Sequence, residues 1–78
     1  MFPQLNIMNN TISFEEFIQT WEQYQILNQP RFRRGQGLYN LLHMARPELA
    51  KAIVDSEMDP FYQDERIDRC LDFLMKNW

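Results

Sequence analysis

Three prolines, Pro30, Pro47 and Pro60, cut this chain into stretches that each carry apolar residues at helical spacing. Proline lacks an amide hydrogen and its ring clashes with the preceding turn, so it starts or stops a helix and does not sit inside one. The residue before it is pushed out of the α region. The chain is therefore read as short helices joined by tight connections. No Asn-Gly or Asp-Gly hairpin signal lies between them.

The first helix begins at Ser13. Ser13-Phe14-Glu15-Glu16 fits a capping box, in which the serine hydroxyl accepts an amide and the glutamate reaches back. Phe14, Phe17, Ile18, Trp21, Tyr24 and Leu27 follow as its inward stripe, and Asn28-Gln29-Pro30 ends it. Residues 30–35 form a connector. A second helix starts between Gly35 and Gly37, with Leu38, Leu41, Leu42 and Ala45 on one face. Pro47 suits the first turn of a third helix over 47–56, which buries Leu49, Ala50, Ile53 and Val54. Asp59-Pro60 reads as another start, aspartate as cap and proline at the first helical position. Asp64 is a candidate cap for the last helix. Ile67, Leu71, Leu74, Met75 and Trp78 share that helix's inward face, with Cys70 at its flank, so Trp78 is expected to dock. The expected fold is all-α: one small bundle of about four helices, two long and two short, over residues 13–78. Residues 1–12, with Pro3 and turn-forming Asn6, Asn9 and Asn10, read as an irregular extension.

Seventy-eight residues allow one small domain with a marginal core. No apolar run reaches membrane-spanning length, and the first residues lack the charged and apolar regions of a secretory signal. The lone Cys70 fits a reducing compartment, and a cytoplasmic location is expected. The net charge of −3 is unevenly spread. Residues 1–30 carry three acids and no Lys or Arg, residues 31–51 sum to +4, and residues 52–78 sum to −4. A general nucleic-acid binder is usually basic overall, and this chain is not.

One pattern carries a resemblance. Arg34-Gly35-Gln36, Asn40 and Leu42, then Arg46-Pro47-Glu48-Leu49-Ala50, then Asp59-Pro60-Phe61-Tyr62-Gln63-Asp64, closing on Trp78, resembles short uncharacterised proteins of bacteria and their phages. The resemblance spans roughly residues 13–78. It implies a single small domain and carries over no activity and no functional residue.

The leading candidate site is Arg31-Phe32-Arg33-Arg34-Gly35-Gln36-Gly37. Guanidinium forks match carboxylates and phosphates, free amides at a helix start attract anions, and glycine permits close approach. The segment lacks the lysine and spacing of a P-loop. Phe32 between arginines also suits a protein interface, where aromatics and Arg are enriched. The competing reading pairs these arginines with Glu15, Glu16, Glu22 or the acidic last helix. Gln36, Asn40 and His43 form a polar stripe on the second helix, readable as a base-reading face or as a polar network within the fold. A Cys70–His43 nucleophile pair has little support in so short a chain. The acids from Asp55 to Asp72 do not match a calcium loop, and no cofactor or metal is expected. The expectation is a non-enzymatic interaction or regulatory module. It binds a protein partner or itself through Arg31, Phe32, Arg33, Arg34, Gln36 and Tyr39, and no membrane partner is expected. The alternative is a nucleic-acid-binding domain that uses the same arginines for phosphates.

Overall fold

The structure is a computed structural model that describes residues 12–28 and 31–78. The expected extension, apart from Ile12, and the Gln29-Pro30 stop lie outside the described residues. Four α-helices follow in order: α1 (Phe14–Asn28), α2 (Arg34–Ala45), α3 (Pro47–Ile53) and α4 (Ile67–Asn77). A 3-10 turn, Asp64–Arg66, leads directly into α4. Among the described residues there is no strand. The fold is the small all-α bundle that the spacing predicts.

The start of α1 is the expected capping box, formed in both directions. The Ser13 amide donates to Glu16 Oε1 at 2.9 Å, and the Glu16 amide donates to Ser13 Oγ at 3.0 Å. Phe17, Trp21 and Gln25, four residues apart, form the buried ridge of α1. The expected position of Leu27 is corrected: it is 77% exposed. Its place on the helix is turned away from the Phe17–Trp21–Gln25 ridge, and the polar Gln25 is buried instead because its amide donates to the Phe32 carbonyl.

The second helix lies at the centre. It packs on α1, α3 and the 3-10 turn, and it buries Leu38, Leu41 and Leu42 with Gly35 and Gly37. The α2–α3 joint is a single residue. Arg46, extended at φ −141°, breaks the helix, yet its amide still donates to Leu42 O and its carbonyl accepts the Leu49 and Ala50 amides. Pro47 takes the first position of α3 as expected, where its missing amide costs nothing.

Three further expectations are corrected between residues 53 and 67. The third helix stops at Ile53, not residue 56: Val54, expected to be buried, leaves the helix at ψ 133° and is 45% exposed, and Asp55 is left-handed at φ 62°. Side chains replace the helical bonds, because Ser56 Oγ donates to Ile53 O and Asp59 Oδ2 accepts the Asp55 amide at 2.7 Å. Asp59-Pro60 does not begin a helix. Asp59 is buried and its carboxylate folds both ways, since Oδ1 also accepts the Phe61 amide at 3.0 Å. Asp64 makes no side-chain cap for the last helix, and its Oδ1 accepts the Gly35 amide at 2.9 Å, at the start of α2. In α4, Cys70 and Leu74 are the fully buried positions, while Met75 is 60% exposed. Cys70 thus lies at the middle of the inward face and Met75 beyond its edge.

The core gathers Phe17, Trp21, Leu38, Leu41, Leu42, Leu49, Ala50, Ile53, Cys70 and Leu74. Trp78 closes it from below α1 as a half-buried anchor. Its ring meets Phe17 at 4.8 Å and Phe14 at 5.8 Å, and its indole donates to Ile12 O at 2.9 Å. The Arg46 guanidinium lies 5.0 Å from the Trp78 ring, donates to the Trp78 backbone oxygen at 2.6 Å and holds Glu48 at 2.5 Å. That contact holds the Glu48 carboxyl below its ordinary range.

The two glycines of α2 differ in what they allow. A Cβ on Gly35 would stand 2.2 Å from the Pro60 carbonyl oxygen, which is backbone. One on Gly37 would stand 2.9 Å from Gln25 Oε1, the end of a flexible side chain. Gly35→Ala is expected to destabilise by about 3 kcal/mol, the upper end for overpacking. Gly37→Ala should change stability by less than about 1 kcal/mol, because the gain in helix propensity offsets the crowding. Urea denaturation of both variants checks the contrast, and equal effects would contradict the packing at Pro60.

Candidate functional site

The basic connector is held against the 59–64 segment along the start of α2. Arg33 reaches across to donate to the Phe61 carbonyl, and its Nε lies 3.6 Å from Asp64 Oδ1. Asp64 uses the same oxygen to cap α2 through the Gly35 amide. A carboxylate at a helix start is also favoured by the helix dipole. Two backbone segments distant in sequence are thereby locked side by side.

The sequence-predicted residues divide into holders and exposed groups. Phe32 is half-buried and stacks on Tyr24, with centroids 6.0 Å apart. Arg33 is a holder, paired with Asp64 and not with Glu15, Glu16 or Glu22. Arg34 lays its guanidinium 4.5 Å from the Trp21 ring, while its carbonyl accepts the Trp21 indole hydrogen at 3.2 Å. The Arg34 side chain is nevertheless exposed. Arg31 is exposed and makes no ion pair among the described residues. Gln36 is half-buried. Tyr39, also half-buried, packs edge-on to Phe61 at 5.7 Å and lies 6.2 Å from the His43 ring.

The sequence did not join Phe61 and Tyr62 to Tyr39. In the fold, Tyr39, Phe61 and Tyr62 line one groove of about 230 Å³ together with Val54, Asp55 and Asp59. Phe61 and Tyr62 meet at 4.7 Å and 70°. Tyr62 is 78% exposed, although it sits on the segment that Arg33 holds in place. No local signal could have found the groove: the Asp-Pro pair restrains only Asp59 and Pro60 and reads equally as a helix start, so it is the fold that brings Phe61 and Tyr62 beside Tyr39.

Burial pushes the Tyr39 hydroxyl above its ordinary pKa, and the charges of Asp59 and Asp55 add to the effect. Burial also pushes the Cys70 thiol up to about 12, with Asp59 contributing. A thiol in that state is not a nucleophile near neutral pH. His43 is exposed on α2. Among the described residues, no group of three His, Cys, Asp or Glu could hold a metal ion, and no helix is long and apolar enough to cross a membrane.

Comparison with known proteins yields no match of any kind: no family model, no curated protein and no solved structure matches the chain. The arrangement of side chains is therefore the whole basis for a functional reading.

Two outcomes are expected from this geometry. Asp64→Ala removes the cap of α2 and the partner of Arg33, and should cost about 0.5–2 kcal/mol in chemical denaturation. Arg33→Ala leaves the cap in place and should cost less. Cys70 should resist an aromatic disulfide reagent in the native protein and react at once in denaturant; rapid native labelling would place the thiol at the surface.

Proposed function

We propose that this chain is a non-enzymatic binding module that engages another protein along the clasped connector and 59–64 segment. The observation that carries this reading is the clasp itself. Arg33 and Asp64 spend their polar groups fixing the backbone, and beside them Arg31, Arg34 and Tyr62 remain exposed on a surface already in place. Exposed arginine and tyrosine on a rigid support bind at low entropic cost, and these residue types dominate interface energies. The inert Cys70 thiol supports the non-enzymatic part of the reading. A buried lone cysteine also suits a reducing compartment, and we place the protein in the cytoplasm on that ground.

The division of labour among the arginines shapes the test. Arg33 is a holder, so its loss mixes stability with binding. Arg31→Ala combined with Tyr62→Ala removes two exposed side chains and should leave the denaturation midpoint unchanged. Wild type and this double variant serve as baits in native lysate treated with nuclease. The expected outcome is a protein partner retained by wild type and lost from the variant. Material whose retention disappears with nuclease, with affinity falling steeply as salt rises, would favour the nucleic-acid reading instead. Equal recovery by both baits overturns the surface.

A further inference from the structure

The groove beside α2 is electron-rich, and among the described residues no cationic side chain lines it. Neither Asp55 nor Asp59 makes an ion pair among the described residues. Asp59 is buried at its base, with both oxygens fixed by the Asp55 and Phe61 amides. Its negative charge therefore cannot swing away. Asp55 is exposed at the rim, and its carboxylate accepts no hydrogen bond from the described residues. The walls are Tyr39, Phe61 and Tyr62, with Phe61 edge-on to Tyr39 at 89° and inclined to Tyr62 at 70°. Aromatic faces attract cations, and more strongly where water is partly excluded. Burial chiefly raises the pKa of the Tyr39 hydroxyl, and the charges of Asp59 and Asp55 add to it.

We propose that this groove receives one arginine side chain of the protein partner, with its guanidinium against the aromatic walls and its fork on the Asp55 carboxylate. The proposal rests on the binding-module reading and names the chemistry that the partner presents there. Size and charge select this occupant. At about 230 Å³ the groove is smaller than pockets for drug-sized ligands, which run about 300–1,000 Å³, and it matches a single long side chain. A guanidinium is planar, stacks on rings, matches a carboxylate with two parallel donors and sheds water more readily than an ammonium. The surrounding residues 52–78 carry −4, which favours approach of a basic segment. The left-handed Asp55 aims its side chain from a turn that Asn also tolerates, so the charge can be removed without moving the backbone.

The test titrates N-acetyl-argininamide into the isotope-labelled full chain and follows the amide NMR spectrum. N-acetyl-citrullinamide, the uncharged isostere, is the control. Saturable shifts at Tyr39 and residues 54–62 are expected with the arginine probe, and binding about tenfold weaker or worse with the citrulline probe. Asp55→Asn should weaken the arginine response about fivefold or more while preserving the spectrum elsewhere. Asp68→Asn, which removes an exposed carboxylate in the first turn of α4, should leave it unchanged. Equal shifts from both probes, shifts scattered over the surface, or full binding by Asp55→Asn would each overturn the proposal. Its failure separates from failure of the parent reading. A protein partner lost from the Arg31→Ala/Tyr62→Ala bait with no groove response to the arginine probe keeps the module and removes the arginine site. Saturable arginine binding with no captured protein keeps the guanidinium site and removes the module.

Discussion

The first turn of α2 lies directly against the Pro60 carbonyl, so closely that a Cβ on Gly35 would stand 2.2 Å from its oxygen. No side chain fits between them, which is why Gly35 stands there. The contact brings the Gly35 amide to Asp64, and with it the start of α2 gains a cap from a residue 29 positions away. Arg33 then closes over the top onto Phe61 and Asp64. From this clasp follow the direction in which α2 enters the core and the point at which α4 begins. The groove between α2 and the 54–62 segment exists because the clasp holds its two walls at a fixed distance.

A second tie acts at the opposite side. Arg46 breaks the α2–α3 run and uses its guanidinium three times, over the Trp78 ring, on the Trp78 backbone oxygen and on Glu48. Trp78 in turn packs on Phe14 and Phe17 and bonds to Ile12. Residues from both ends of the described chain thus meet at Trp78, which Arg46 ties to the α2–α3 joint. For a chain this short, whose apolar core is ten buried residues, such polar ties fix the helix arrangement where burial alone leaves choices.

The arginines illustrate how one residue type serves opposite ends. In the connector, Arg33 is spent on a carboxylate and a carbonyl, Arg34 lies over a tryptophan face yet stays exposed, and Arg31 is exposed with no ion pair among the described residues. The acids show the same split. Asp64 is a cap and Asp59 a turn-former, yet the Asp55 carboxylate makes no ion pair among the described residues. The surface charge that remains for a partner is therefore much smaller than the sequence count and more sharply placed.

Most of the helical content was legible in the chain, for local reasons. Ser13 and Glu16 cap each other within one turn, Pro47 can occupy only a helix start, and the leucines at 38, 41 and 42 share a face by spacing alone. Those devices act over a few residues, so sequence determines them. The candidate connector was legible as a basic-aromatic segment, but not the division of its arginines into holders and exposed groups. Leu27 and Met75 had the right character at the wrong angle, and Gln25 and Cys70 took the buried positions, because the neighbouring element decides the centre of a helix face. Asp59 and Asp64 looked like caps for the helix that follows them. Only tertiary structure could reassign Asp64 to α2 and turn Asp59 inward, since a carboxylate bonds whichever free amide the fold brings within reach.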